Sequence, residues 1–327
     1  MTVPREEGPD AASASGPPRV AFLGLGRMGY AMAERIARSG LPLTVWNRSL
    51  ERSRRLAGDV AGVADVEVAT SPGACVAGAE LVVSMLADGD ALRSVLTGDG
   101  GALATISPGT LWIDMGTSGP LAVRDVGARL ATAAVGLVDA PVSGSVDFAR
   151  AGTLTVMAGG EAADVARARP VLDLLASRVL PCGPSGSGAA LKLSVNLVVH
   201  ALNAALSEAL VLAERSGVDR STAFDLYTAS AVAAPFVQYK RAAFEQPDET
   251  PVAFSLALVE KDLALVAELE HSLGAPSDVA DVLHEQARRA SAAGYAERDM
   301  SALAVYHRER TARHEGSETQ TVSDAGD

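Results

Sequence analysis

Lys192 and Asn196 stand four residues apart in "LKLSVNLVVHAL", so on a helix they share one face. A lysine between Leu191 and Leu193, at the start of an apolar run, is partly desolvated, which lowers its pKa toward the range where an amine both gives and takes a proton. Such a group suits a carbonyl oxygen that gains charge as hydride reaches its carbon. The alternative is a lysine that lays its stem on apolar surface and keeps its ammonium in water. A second constellation is "GLGRMG": Gly24 permits a tight turn, Gly26 the close approach of a pyrophosphate, and Gly29 the packing of a helix on a strand. Leu25, Arg27 and Met28, between those glycines, share the diphosphate contact, because the loop opens a helix whose free N–H groups and dipole favour an anion. The alternative is a glycine-rich turn without a ligand. A third is "APVSGS", where Ser143, Gly144 and Ser145 end a strand and the glycine bares N–H groups to a carboxylate. On its own this stretch also reads as a plain strand-ending turn.

About 20 residues past the glycines, a site for NAD usually shows an acid that binds the ribose 2′-OH. This chain has Asn47, Arg48 and Ser49 there, in "VWNRSLERSRR". A carboxylate repels a 2′-phosphate whereas a guanidinium binds it, so the pattern favours NADP(H) over NAD(H), with Arg48 and Ser49 as the contacts. Arg52, Arg54 and Arg55 read as a solvated helix face.

These groups need elements to hold them. Arg19–Leu23, the glycine loop, a helical stretch to Ser39 and "LTVW" form a βαβ unit. Further strands are expected at "EVATS", 80–86, 110–116, 136–144 and 153–160, with helices between most of them. Leu86, at the end of one strand, joins the cofactor-side candidates. The expected fold is α/β: a Rossmann-type doubly wound sheet followed by an all-α C-terminal domain. Helices are expected over 187–216, 220–230, 235–245, 252–273, 277–293 and 299–312. The first is so long and apolar that it implies cover from a second copy of the chain, a homodimer through that helix. The domains are then a disordered arm at 1–18, a nucleotide-binding domain at 19–182, a helical substrate and dimerisation domain at 183–312, and a disordered acidic tail at 313–327.

Composition narrows the function classes. Net charge is −12 over 327 residues, with −2 of it before Arg19 and −4 after His314, so the folded part is mildly acidic and nucleic acid is not an expected partner. Cys75 and Cys182 lack metal-ligand spacing and point to a reducing cytoplasmic compartment. Histidines 200, 271, 284, 307 and 314 form no ligand pattern, so no metal is expected, and His200 reads as a packed or interface residue. Lys192, Asn196, His200, Asn203 and Glu208 interrupt the most apolar segment, which argues against a membrane span. No internal repeat or heptad array is evident.

Four motifs in order, "GLGRMGYAMA", "DAPVSGS", "GPSGSGAALKLSVN" and "KDLALVAE", resemble the β-hydroxyacid dehydrogenases, with 3-hydroxyisobutyrate dehydrogenase, tartronate semialdehyde reductase and the related imine reductases. The resemblance covers about 19–312. It implies that Ser143 and Gly144 hold the substrate carboxylate, that Lys192 is the proton donor and acceptor, and that Asn196 orients the substrate. It further implies that Thr117, Phe254, Lys261 and Asp262 line the cofactor side of the cleft. Two positions depart from the family pattern: Ser145 stands for a glycine and Gly116 for a serine. The resulting expectation is an NADP(H)-dependent oxidoreductase acting on a small-molecule 3-hydroxy acid and its semialdehyde or 3-oxo acid. The alternatives are an imine reductase, which commonly carries Asp or Tyr in place of Lys192, and a non-catalytic binding module.

Overall fold

The computed structural model describes residues 16–312. The expected arm at 1–18 lies almost wholly outside the described residues, and the tail at 313–327 lies outside them. All four residues of β1 (Val20–Leu23) are buried, which is why "VAFL" shows no alternation: helices cover both faces of the sheet. α1 (Arg27–Arg38) turns Gly29, Ala31, Met32, Ala33, Ile36 and Ala37 inward. There follow β2 (Leu43–Trp46), α2 (Leu50–Asp59), β3 (Val66–Val68), α3 (Pro72–Val76), β4 (Leu81–Ser84), α4 (Gly89–Thr97), β5 (Leu111–Asp114), α5 (Pro120–Thr132) and β6 (Gly136–Asp139). These six strands are parallel in the order β3-β2-β1-β4-β5-β6. The order reverses between β1 and β4, and the crevice at their carboxyl ends is where such sheets bind ligands.

Two differences from the sequence expectation lie at the sheet's far edge. The single strand expected over 136–144 is two, β6 and β7 (Val142–Ser143), because Pro141 offers no N–H to a ladder. After α6 (Val146–Ala151) comes β8 (Leu154–Gly159), antiparallel to both, and α7 (Ala162–Leu175) leads into β9 (Ala176–Gly183), parallel to β8. β9 was not expected: "ASRVLPCG" has a proline and a half-exposed, non-alternating pattern, and only its neighbour makes it a strand.

α8 (Ser187–Arg215) has 29 residues, about 44 Å at 1.5 Å per residue. By length and composition it could cross a membrane, but 44% of its most apolar window is buried inside the protein. Its inner face is polar as well as apolar. Asn203 Nδ2 donates to Met300 O at 3.0 Å and Ser207 Oγ to Asn203 O at 2.7 Å. On the outer face Leu191, Val195, Val198, Leu202, Ala205, Ala209 and Leu212 follow a four-three spacing, with Leu191, Val198 and Leu212 exposed by 39%, 67% and 70%. A short heptad seam is therefore present where none was read, hidden in the sequence because the inner face is apolar too.

The remaining helices are α9 (Arg220–Ala229), α10 (Pro235–Glu245), α11 (Leu256–Leu273), α12 (Asp278–Ala290) and a last one over 303–312 that opens with a 3₁₀ turn at Met300–Ala302. α11 starts four residues later than expected. Asp299 accepts the N–H groups of Ala253 and Phe254 at 2.9 and 3.2 Å and pairs with the buried Lys240 at 2.7 Å, holding 253–254 outside the helix. α12 ends at Ala290 because Gly294 adopts φ +96° in the π turn that follows.

At the carboxyl end of β5, buried Asp114 accepts from Ser84 Oγ at 2.7 Å, and Ser84 accepts from Trp112 Nε1 at 2.8 Å. Burial pushes the Asp114 carboxyl up to about 6, against the pull of those hydrogen bonds. A raised folded-state pKa means the fold holds the proton more tightly than the unfolded chain does. Stability from this residue is thus greatest below the ordinary carboxyl range and is lost as pH rises through about 6. Between pH 4.5 and pH 8 the parent should lose roughly 2 kcal/mol relative to Asp114→Asn, whose amide does not ionise. Urea midpoints of both proteins at the two pH values check this, and a difference that does not move with pH contradicts it.

Candidate active site

Three glycines of the "GLGRMG" loop have three different reasons to be glycine. Gly24 sits at φ +100°, and a Cβ there would lie 2.5 Å from Met85 O and 2.8 Å from the Leu86 side chain. That places Leu86 beside the loop at the switch point between β1 and β4. A Cβ on Gly29 would lie 2.1 Å from Gly24 O, so α1 meets the loop only through a glycine. A Cβ on Gly26 would meet nothing within 4 Å. No protein atom accounts for the absent side chain there. It keeps open the space in front of the α1 N-terminus, whose first turn has neither an acidic residue nor a side-chain cap, and a dinucleotide diphosphate fits that space.

Asn47 directly follows β2 and braces this loop: its Oδ1 accepts from Leu25 N at 2.9 Å and its Nδ2 donates to Ser49 O at 3.1 Å. Arg48 and Ser49 are exposed, and Arg48 pairs with no acid among the described residues. Ser49 is the N-cap residue of α2 but its hydroxyl makes no capping bond. Arg55, by contrast, pairs with Asp59 at 3.6 Å, and Arg52 reaches Leu25 O only at 3.4 Å. Met28 is half-buried. Arg27 crosses to the helical domain, its guanidinium donating to Val252 O.

The first turns of α8 are fixed by a residue the sequence pattern did not single out. Asp139, the last residue of β6, accepts Gly186 N at 2.7 Å and Ala189 N at 2.8 Å. Its carboxylate caps the helix that carries Lys192. Burial pushes this carboxyl up while the backbone amides of Gly186, Ala189 and Gly188 oppose the rise. Gly188 lets the turn settle on the sheet, since a Cβ there would lie 2.3 Å from Met157 O. The available signal was an aspartate directly after an apolar strand, inside the "DAPVSGS" stretch itself.

Lys192 is half-buried and forms no ion pair among the described residues. Burial pushes its amine below the ordinary lysine range; the charge of Asp262 pulls it back and that of Lys261 adds to the fall. One and two turns on, Asn196 and His200 are buried on the same face. Asp262, expected on the cofactor side, is instead 1% exposed and sits against this face of α8. The hydrophobic spacing of α11 turns it inward, together with Val259, Leu263 and Val266. Asp262 Oδ2 accepts from Asn196 Nδ2 at 2.6 Å, and His200 Nε2 lies 3.6 Å from the same oxygen. Burial alone would push the Asp262 carboxyl up, but His200, Lys261 and their charges hold it below the usual range.

Lys261 spans the cleft. Its Nζ donates to Ala87 O and Thr117 O at 3.2 and 3.1 Å, beyond the ends of β4 and β5, and lies 2.9 Å from Asp262 Oδ1. The sequence contains three lysines, Lys192, Lys240 and Lys261, and each has a place in this machinery or its support. Phe254 packs its ring 6.0 Å from His200. Ser143 is half-buried, while Gly144 and Ser145 are exposed at the turn into α6, where the Ser145 hydroxyl makes no capping bond. Gly116 is pressed against Leu86, with an added Cβ 2.9 Å from Leu86 O. Cys75 is buried and pushed up to about 12 by that burial, and Cys182 is also raised by burial, so neither thiol suits nucleophilic chemistry. No metal-ligand cluster occurs among the described residues. A separate cavity of about 830 Å³ in the helical domain, lined by Glu208, Gln286, Arg289 and His307 among others, contains none of the candidate site residues.

Comparison with known proteins gives this arrangement a context. Residues 19–183 match the family described as the NAD binding domain of 6-phosphogluconate dehydrogenase, and 186–306 that described as NAD-binding of NADP-dependent 3-hydroxyisobutyrate dehydrogenase. Glyoxylate/succinic semialdehyde reductase 1 of Arabidopsis thaliana is 32% identical over 284 residues, 87% of this chain and 96% of that one. The 3-sulfolactaldehyde reductase of Escherichia coli is 31% identical over 284 residues, 87% of this chain and 94% of that one. The structure of Mycobacterium tuberculosis 3-hydroxyisobutyrate dehydrogenase with L-serine superposes with a TM-score of 0.79 at 32% identity, covering 90% of this chain and 100% of that one.

Proposed function

The chain belongs to the β-hydroxyacid dehydrogenase family of NAD(P)-dependent oxidoreductases, and from that premise we propose that it interconverts a small 3-hydroxy acid and its semialdehyde or 3-oxo acid with NADP(H) as preferred cofactor. The observation that carries this reading is Lys192: a half-buried amine without an ion-pair partner among the described residues, lowered in pKa, on a helix clamped to the carboxyl end of the sheet. When bound, the nicotinamide supplies or accepts the hydride. Lys192 gives its proton to the carbonyl oxygen on reduction and takes it from the hydroxyl on oxidation. The Ser143–Gly144–Ser145 turn holds the carboxylate and Asn196 orients the reacting carbon, with Thr117, Phe254 and Lys261 closing the cofactor side. Free, unpaired Cys75 and Cys182 support a reducing, cytoplasmic setting.

Lys192→Ala should lower kcat by roughly 10²–10⁴-fold, the usual effect of losing a general acid–base group, and leave NADPH affinity nearly unchanged. The assay is NADPH oxidation against a panel of C3–C5 semialdehydes, 3-oxo acids and cyclic imines. Near-parental turnover by the variant, or a parent that prefers the imines, contradicts the proposal.

The NADP(H) preference rests on Arg48 and Ser49, both exposed beside the loop, with Asn47 in place of an acid directly after β2. Arg48→Ala should raise KM for NADPH by about tenfold or more, the scale of one charge-assisted contact, and leave KM for NADH near its parental value. Equal efficiency of the parent with both cofactors would sink the preference.

We further propose a homodimer that covers the seam of Leu191, Val195, Val198, Leu202, Ala205, Ala209 and Leu212 on α8. Light scattering at micromolar concentration should give at least twice the chain mass, and Val198→Glu combined with Leu212→Glu should halve it. A monodisperse parental monomer is the contrary result.

A further inference from the structure

Three side chains of α8, at 192, 196 and 200, face one acid of α11. Asn196 Nδ2 and His200 Nε2 approach the same oxygen, Asp262 Oδ2, at 2.6 and 3.6 Å, while the other oxygen is engaged by Lys261 at 2.9 Å. His200 is 3% exposed, and neither of its ring nitrogens has a hydrogen-bond partner. A buried, unpaired ring N–H is costly, and a phenylalanine or methionine would fill the same volume without that cost. Phe254 flanks the ring, and the charged groups that face it are Lys192 on its own helix and Asp262 and Lys261 on α11. The orphaned nitrogen is thus aimed at one place, the oxygen that Asn196 holds.

We propose that His200 is a positioning residue of the reaction: its ring N–H is the reserve donor for Asp262 Oδ2, closing on that oxygen as Asn196 turns its amide toward the substrate. A donor on Oδ2 offsets part of the carboxylate's charge, so Asp262 pulls less on the Lys192 ammonium and the proton leaves it more readily. Without the donor, the turn of Asn196 leaves Asp262 with its full charge at the moment Lys192 must exchange its proton. The inference rests on the role given to Lys192 above and adds a residue that touches neither substrate nor cofactor.

The test compares His200→Met and His200→Gln, which match in size and differ in the N–H donor, with His200→Phe as a third variant that keeps an aromatic ring against Phe254. Reductive ¹³C-methylation labels only three lysines and the terminal amine, so the Lys192 titration is read by NMR in cofactor-free protein saturated with the 3-hydroxy acid that corresponds to the best panel substrate, where Asn196 is turned to the ligand and no turnover occurs. His200→Met and His200→Phe should move that titration, and the matching limb of the kcat profile of unmodified enzyme, upward by about one pH unit, the scale of a nearby charge effect. KM should change little, and His200→Gln should restore both readings. A Lys192 titration unmoved in the Met and Phe variants, or moved equally by Gln, overturns the proposal. A titration that moves while the kcat limb stays put would refute Lys192 as the proton donor and leave the coupling of His200, Asp262 and Lys192 standing.

Discussion

The positions of Lys192 and Asn196 depend on one carboxylate. Asp139 leaves the sheet at the end of β6 and takes two amides from the start of α8, so the longest helix of the protein is aimed by an acid of the other domain. The bond is charge-assisted and lies at the positive end of the helix dipole, which offsets the cost of burying the charge. Because α8 is rigid and Lys192 is only three residues beyond Ala189, a small rotation at the cap displaces the amine relative to the crevice between β1 and β4. Gly159 and Gly188 belong to the same constraint: a Cβ on either would strike Asp139 or the strand beneath it.

Once α8 is fixed, the rest of the cleft is closed by bonds between the domains. Lys261 reaches Ala87 O and Thr117 O, Arg27 reaches Val252 O, and the buried Lys240–Asp299 pair sets the loop that bears Phe254. The acceptors that Lys261 and Arg27 reach across the cleft are backbone carbonyls, so those crossings depend on main-chain positions, whereas the Lys240–Asp299 pair acts within the helical domain. Asp262 differs, because it gathers Asn196, His200 and Lys261 around one buried charge and thereby links α8 to the strut that spans the cleft.

Much of this could be read from the chain. The glycine loop between strand and helix, the long apolar helix, and Lys192 with Asn196 on one face are local patterns, and local patterns survive in a sequence. What escaped was set by tertiary contact. β9 is a strand only because β8 lies beside it, and α11 begins late only because Asp299, some 40 residues on, holds two of its would-be first amides. Asp262, which the resemblance groups with Lys261, turns toward α8 instead; one helical step of about 100° separates the two directions. His200 is packed, as the sequence suggests, but the acid it lies beside is 62 residues away and was not foreseeable from spacing. The seam on α8 was masked by the apolar inner face of the same helix.

The scarcity of lysine has a chemical consequence of its own. Amines condense with aldehydes to Schiff bases, whereas a guanidinium stays protonated and does not. Lys240 is sealed in an ion pair with 5% of its side chain exposed, and Lys261 is held between two carbonyls and an acid. Arginine and histidine supply the remaining basic side chains of the protein, and neither forms a stable Schiff base. An aldehyde diffusing over this surface finds, apart from the chain's terminal amine, one lysine amine without an ion pair among the described residues, Lys192 in the cleft. For an aldehyde held there, the angle at which α8 presents Lys192 decides whether the amine meets the carbonyl carbon, where it forms a carbinolamine, or the carbonyl oxygen.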